Sequence, residues 1–226
     1  MKIPVFDMGN VLVSVSMDNM YKKFVDLKLF KNENLAYFFM RNIENSQNLN
    51  FTTVKDAIEF HDAVNKGQDY FRNKTESYKE ISDYWKSNEV WKPNLLILGW
   101  LLNNINNFGR FVLASNMGID HHGEILKSHE FFNNKKLIKC FSFQMGAVKP
   151  HYTFWKIFED NIKDTGLNIS DLEFLYIDDR LDYIEGWHRF WDSKRIKPKS
   201  IETFQFNSTQ QDQSILINKL EAFKKR

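Results

Sequence analysis

Val5-Phe6-Asp7-Met8-Gly9-Asn10-Val11-Leu12-Val13 is the stretch on which the reading of this chain turns. Ile3 to Phe6 is a short, largely apolar run that stops at a carboxylate. The Gly9-Asn10 pair then turns the chain, and a second apolar run leaves the turn. Such a run reads as a buried strand, and buried strands of open α/β sheets carry their chemistry at the carboxyl end, where the crevice lies. Taken alone, Asp7 is more simply an aspartate ending a strand in a turn. Pro4 lacks a backbone donor and prolines avoid the interior of central strands, so it is expected at the start of a short first strand.

Working outward, the pattern changes at once to helical spacing. Tyr21, Phe24 and Val25 recur at three and four residues, as do Leu35, Phe38, Phe39 and Ile43, then Val54, Ala57, Ile58 and His61, then Ile81, Tyr84 and Trp85. This spacing puts apolar side chains on one helix face. Residues 16–90 therefore read as a helical cap subdomain inserted after the first strand, and residues 1–15 with 91–226 as the α/β core. From Pro93 on, strands and helices alternate: a helix from Leu95 to Ile105, a strand at 110–115, a helix near 119–132, a strand at 138–143 and a helix from Tyr152 to about Lys163. A strand at 173–177, a short helix, a last strand from Ser200 to Phe206 and a C-terminal helix marked by Leu216, Leu220 and Phe223 complete the run. Alternation of this kind means βαβ units, hence a Rossmann-like, mainly parallel sheet with helices on both faces.

The 226 residues suffice for one large domain or a core plus an inserted subdomain. A hydrophobic fraction of 42% argues for a packed globule rather than disorder. The 21 phenylalanines read as core, since base stacking would want aromatics interleaved with a basic cluster. Lysine and arginine total 31 against 29 acidic residues, which gives no general pull toward nucleic acid or an anionic membrane. The basic clusters Lys194-Arg195, Lys197 and Lys224-Lys225-Arg226 read as solvated surface. Cys140 stands alone and within an apolar strand, so it reads as a buried thiol in a reducing compartment. Met1-Lys2-Ile3-Pro4 runs straight into the first strand and the longest apolar run is too short to span a bilayer. A cytoplasmic protein is the expectation.

The polar residues at the strand ends are Asp7, Ser115-Asn116 and Asp178-Asp179, with Lys149 ahead of Pro150 after the strand at 138–143. In a parallel sheet these ends face one crevice. Three bare carboxylates cannot share a small site, because like charges raise one another's pKa. A hard divalent cation resolves this, and oxygen ligation by a few carboxylates plus water suits Mg²⁺. The metal and Lys149 would attract a substrate phosphate, Ser115 and Asn116 would donate hydrogen bonds to it, and Asp7 would attack phosphorus.

The motifs Phe6-Asp7-Met8-Gly9-Asn10-Val11-Leu12, Leu113-Ala114-Ser115-Asn116, Gly146-Ala147-Val148-Lys149-Pro150 and Tyr176-Ile177-Asp178-Asp179, in this order, resemble the four motifs of the haloacid dehalogenase-like hydrolase superfamily. The helical insert lies where many members carry a cap. The resemblance implies that Asp7 is the nucleophile, Ser115 the phosphate-binding hydroxyl with Asn116 beside it, and Lys149 the cation steadying nucleophile and phosphoryl group. It further implies that Asp179 ligates Mg²⁺ with Asp7 and the Gly9 carbonyl, with Asp178 as their neighbour.

Two positions depart from the pattern. Phosphatases of the family usually carry a second aspartate, a general acid/base, where this chain has Gly9. A Gly-Asn or Gly-Gly pair resembles a branch that includes sugar-phosphate phosphatases. Tyr183 stands where similar motifs often have Asn. Without the second aspartate, leaving-group protonation falls to water or a cap residue, and phosphates with good leaving groups should be favoured.

The reading is thus a Mg²⁺-dependent phosphatase for a small phosphorylated metabolite, working through an aspartyl phosphate on Asp7, with neither nucleic acid nor membrane as partner. Two alternatives stand beside it: a degenerate protein that binds a phosphorylated ligand or a protein partner without turnover, and a metal-independent 2-haloacid dehalogenase, whose members also lack the second aspartate. His121, His122 and His129 lack a metal-ligand motif and read as surface or packing, although His121 lies near enough to the Ser115 turn to be a proton donor. Trp187 and Trp191 around His188 read as a packed edge. His61 and the insert's phenylalanines read as packing rather than as a substrate entrance.

Overall fold

The Ile3–Phe6 run lies at the middle of the main sheet in a computed structural model that describes residues 1–46, 55–56, 58–59, 70–85, 87 and 90–226. Strand β1 (Lys2–Phe6) is flanked by β4 (Phe111–Ser115) and then β5 (Leu137–Phe141) on one side. On its other side lie β6 (Glu173–Asp178) and then β7 (Ser200–Gln205). All four pairings are parallel. The chain thus works outward from β1 to β5, then crosses to β6. The carboxyl end of β1 is the switch point at which open α/β sheets bind ligands.

Side chains alternate across this sheet and build two separate cores. Ile3, Val5, Val112, Ala114 and Tyr176 face α7 (Tyr152–Asp164) and α8 (Leu181–Asp192), whose Phe154, Trp155, Phe158, Trp187 and Trp191 are buried. The Trp187–Trp191 pair is therefore the packed edge expected, and His188 meets the Thr203 hydroxyl at 3.1 Å. On the opposite face Phe6, Phe111 and Leu113 pack with α4 (Leu95–Asn103), α5 (Ile119–Ser128) and α9 (Gln213–Lys225). Leu216, Leu220 and Phe223 of α9 are all buried there.

Pro4 is not at the start of the strand but in its interior, opposite Leu175 of β6. The reason is directional. The Asp7 amide donates to Ile177 of β6, and alternate residues of a strand point their N–H groups to opposite neighbours, so the donor missing at residue 4 faces β4. Pairing with β4 begins only at Val5, and no ladder hydrogen bond is lost. A second difference lies after β5. Residues 142–145 form one helical turn, α6 (Ser142–Met145), rather than more strand. The Ser142 hydroxyl accepts from Met117 N at 3.0 Å and donates to Met117 O at 3.2 Å, turning the chain toward the loop after β4.

The chain leaves the sheet through β2 (Val13–Val15) and returns through β3 (Trp91–Pro93), an antiparallel two-stranded ribbon. The Asn94 side chain anchors it, donating to Val11 O at 2.7 Å and accepting from Ser14 at 2.8 Å. Between these strands lie α1 (Met17–Asp26), α2 (Glu33–Ser46) and α3 (Lys74–Trp85). Phe24, Phe30, Phe39, Phe71 and Tyr84 bring these segments together in a third apolar cluster. Of the run Val54, Ala57, Ile58 and His61, only Ile58 is among the described residues, and it is buried in this cluster.

Most of the basic clusters are paired: Lys194 with Glu159, Lys197 with Asp192, Lys224 with Glu221 and Arg226 with Glu202. Cys140 is buried, its thiol pushed up to about 12 by burial. No helix among the described residues is long and apolar enough to cross a membrane.

Candidate active site

Asp7 follows the last residue of β1 and is 7% exposed. Lys149 reaches it from the other side of the switch point and has no exposed surface. Its position is set by α6, which stops at Gly146. There φ is +63°, a left-handed conformation open to glycine. Pro150 then packs beneath α8, where a Cβ at Gly186 would stand 2.6 Å from the proline Cβ. Only glycine lets helix and turn approach so closely.

The Lys149 ammonium lies 2.7 Å from Asp7 Oδ1 and 2.7 Å from Asp178 Oδ2. Burial opposes its charge, but Asp178 and Asp7 outweigh burial and hold the ammonium above the ordinary lysine range. Asp178, the last residue of β6, also accepts from the Tyr176 hydroxyl and, through Oδ1, from Arg180 N at 2.9 Å. Burial pushes Asp178 up to about 7, with Lys149 pulling against it and Asp7 adding to it. Asp179 accepts from Asn10 Nδ2 at 3.1 Å, and is raised to about 6 by burial and then by Asp7. Asn10 has φ +55°, which asparagine tolerates better than most residues. From that turn its Oδ1 also accepts from Val15 N.

One carboxylate oxygen from each of Asp7, Asp178 and Asp179 falls within a cluster whose members lie within 4.8 Å of one another. Opposite ligands of one Mg²⁺ stand about 4.2 Å apart, twice the usual metal–oxygen length, so a cluster bounded at 4.8 Å needs to tighten by no more than some tenths of an ångström to hold a single hard cation. The raised Asp178 and Asp179 pKa values mark the surplus of negative charge that such a cation offsets. Within the cluster the three are not equal. Both Asp178 oxygens are engaged by Lys149, Tyr176 and Arg180. The second oxygens of Asp7 and Asp179 take no side-chain hydrogen bond among the described residues. Asp7 and Asp179 would therefore be the better direct ligands of such a cation.

Ser115, 3% exposed, ends β4 next to β1. The Asn116 side chain turns to the Lys149 main chain: Oδ1 accepts from Lys149 N at 2.8 Å, and Nδ2 donates to Lys149 O at 3.1 Å and to the Tyr183 hydroxyl at 2.9 Å. Gly9 contributes main chain only. The two of these histidines whose side chains are described do not form a cluster: the His122 ring packs against Phe141 and Phe143, and His129 Nδ1 accepts from Phe131 N. The His121 and His61 side chains lie outside the described residues.

Two residues of this network carry no role in the sequence reading. Tyr176 sits in an apolar run and reads as core, yet it is two residues before Asp178 on a strand and so shares its face. Tyr183 stands out only as a departure from a motif.

This is the haloacid dehalogenase-like fold, and its switch point carries a lysine, three carboxylates and a serine. No protein-family model and no curated protein sequence matches the chain; the similarity is to solved structures. A HAD family enzyme from Bacteroides thetaiotaomicron, solved as an aspartate-to-alanine mutant with magnesium and inorganic phosphate, is 19% identical, with 96% of this chain and 98% of that one covered and a TM-score of 0.64. A HAD phosphatase from Thermococcus onnurineus is 14% identical over 89% of this chain and 93% of its own, with a TM-score of 0.55. L-2-haloacid dehalogenase from Xanthobacter autotrophicus with chloropropionic acid covalently bound is 11% identical over 84% of this chain and 74% of its own, with a TM-score of 0.55.

Proposed function

We propose that this chain is a Mg²⁺-dependent phosphatase of small phosphorylated metabolites, with sugar phosphates among the candidate substrates. The observation that carries the reading is the Lys149 ammonium, buried between Asp7 and Asp178 with Asp179 alongside. An Asp7 oxygen attacks phosphorus and the ester oxygen leaves, giving an aspartyl phosphate. Water then attacks that phosphorus, releasing inorganic phosphate and restoring Asp7. Lys149 holds Asp7 in place and offsets charge on the transferring group. The Ser115 hydroxyl and the main chain at Asn116 receive the phosphate oxygens. Asp7, the Gly9 carbonyl and Asp179 would hold Mg²⁺, with Asp178 steadying them through Lys149. When bound, the ion would supply positive charge to offset that of the carboxylates and the phosphate. Residues 16–90 act as the cap that selects the substrate, in a reducing cytoplasm that suits the lone, buried Cys140.

The dehalogenase reading has one feature in its favour, the absence of a carboxylate at Gly9, and the Xanthobacter neighbour is such an enzyme. The Asp178-Asp179 pair counts against it, because a paired acidic motif has little purpose without a cation. Hydrolysis of p-nitrophenyl phosphate with Mg²⁺ or with EDTA, beside chloride release from 2-chloropropionate, separates the two. We expect Mg²⁺-dependent phosphate release that falls by at least ~10³-fold in Asp7→Asn. Activity unchanged by that substitution would remove Asp7 as nucleophile, and chloride release without metal would favour the dehalogenase. A wild-type protein inert in both assays would leave the non-enzymatic binder.

A further inference from the structure

Lys149 belongs to no helix or strand, yet both of its ends are fixed. An ammonium has three N–H donors. Here two point to Asp7 and Asp178 at 2.7 Å and the third has the Tyr176 hydroxyl at 3.4 Å. At the other end one amide side chain, Asn116, bridges the Lys149 N–H and C=O at 2.8 and 3.1 Å. The Lys149 N–H requires an acceptor, which fixes which Asn116 atom is oxygen. The remaining Asn116 hydrogen goes to the Tyr183 hydroxyl at 2.9 Å. The amide of Asn116 therefore has no donor left for a substrate.

Tyr183 meets Lys149 a second time. It is 4% exposed, and its ring centroid lies 4.7 Å from the Lys149 ammonium and 4.3 Å from the Arg180 guanidinium carbon. Asparagine at this position would be too short to do both. Its phenol spans from the ammonium at one end to the amide that grips the Lys149 main chain at the other.

We propose that Asn116 and Tyr183 are positioning residues that act in series: Tyr183 orients the Asn116 amide, and Asn116 sets the Lys149 main chain so that the ammonium meets Asp7. For catalysis this rests on the phosphatase reading. A lysine stem is long and flexible, so anchoring its root restricts where its tip can go. Neither side chain touches the reacting atoms.

Tyr183→Phe keeps the ring and removes the hydroxyl. With p-nitrophenyl phosphate and Mg²⁺, kcat should fall by ~10-fold with KM within ~2-fold, since misplacement of a catalytic group by a fraction of an ångström acts on the chemical step. Hydrogen exchange of the Lys149 amide should accelerate, with the thermal midpoint little changed. In an Asn116→Ala background the same Tyr183→Phe change should have no further effect on kcat, because residues acting in series are not additive. Unchanged kcat and unchanged amide exchange in Tyr183→Phe would overturn the proposal, as would additive effects in the double variant. Faster amide exchange in a protein whose wild type hydrolyses no phosphate would support the series and remove the phosphatase reading instead.

Discussion

Position 9 has room for the side chain it lacks. A Cβ built there has Asp7 Oδ2 and Val15 Cγ2 as nearest neighbours, each at 3.7 Å, which is ordinary contact. Gly9→Asp should therefore fold, and should place a carboxyl beside Asp7. General acid help is worth ~10²–10⁴ in rate, and it matters most where the leaving group is a poor one. We expect the wild type to prefer aryl over alkyl phosphates. Gly9→Asp should raise kcat on an alkyl phosphate by at least ~10-fold while changing the aryl rate far less. Equal wild-type rates on the two substrate types, with chemistry limiting, would contradict this account. At this scale the sequence showed the charged members of the site, because Asp7, Lys149 and Asp178-Asp179 each interrupt an apolar run. It hid Tyr176, whose ring belongs to the core while its hydroxyl does not. It also hid the direction of the Asn116 amide, which depends on contacts across 33 residues.

Among the elements, α8 and the Lys149–Pro150 turn are in tighter contact than any pattern of hydrophobicity reveals. A methyl at Gly186 would stand 2.6 Å from Pro150 Cβ and 2.9 Å from its carbonyl oxygen. Neither is the end of a flexible chain, so helix or turn must shift. Gly186→Ala should cost about 1–3 kcal/mol in urea unfolding and lower kcat by displacing Lys149. A variant as stable and active as the wild type would show that the turn yields freely. Strands and helices from residue 93 onward, the single turn α6 apart, were legible in the sequence because each buries a face with its own period. The β2–β3 ribbon was not, since three-residue strands are too short for a period. The interior place of Pro4 was hidden for another reason: tolerance depends on which neighbour a missing donor faces, and that is a property of the sheet.

For the molecule as a whole, the cluster of carboxylates sets a pH dependence. Asp179 ordinarily titrates near 3.8 and is raised to about 6 in the fold. The folded state thus holds its proton more tightly than the unfolded state, and folding loses stability as pH rises from about 4 through about 6. Asp179→Asn removes that loss. Without metal, at pH 8, the variant should melt a few degrees above the wild type, on the order of 1 kcal/mol, and the difference should vanish near pH 4. Adding Mg²⁺ at pH 8 should raise the wild-type midpoint and leave the variant's nearly unmoved. A metal-free variant that melts below the wild type at pH 8 would refute the sign. The arrangement of the sheet has a further consequence for how the chain is made. Its middle strand is made before either of its neighbours: the partner at Val112 follows about a hundred residues later and the partner at Ile177 about 170 later. Nascent β1 therefore has no sheet neighbour until about a hundred further residues have been translated, and the strand that ends at Asp7 is the segment a chaperone would have most reason to shield.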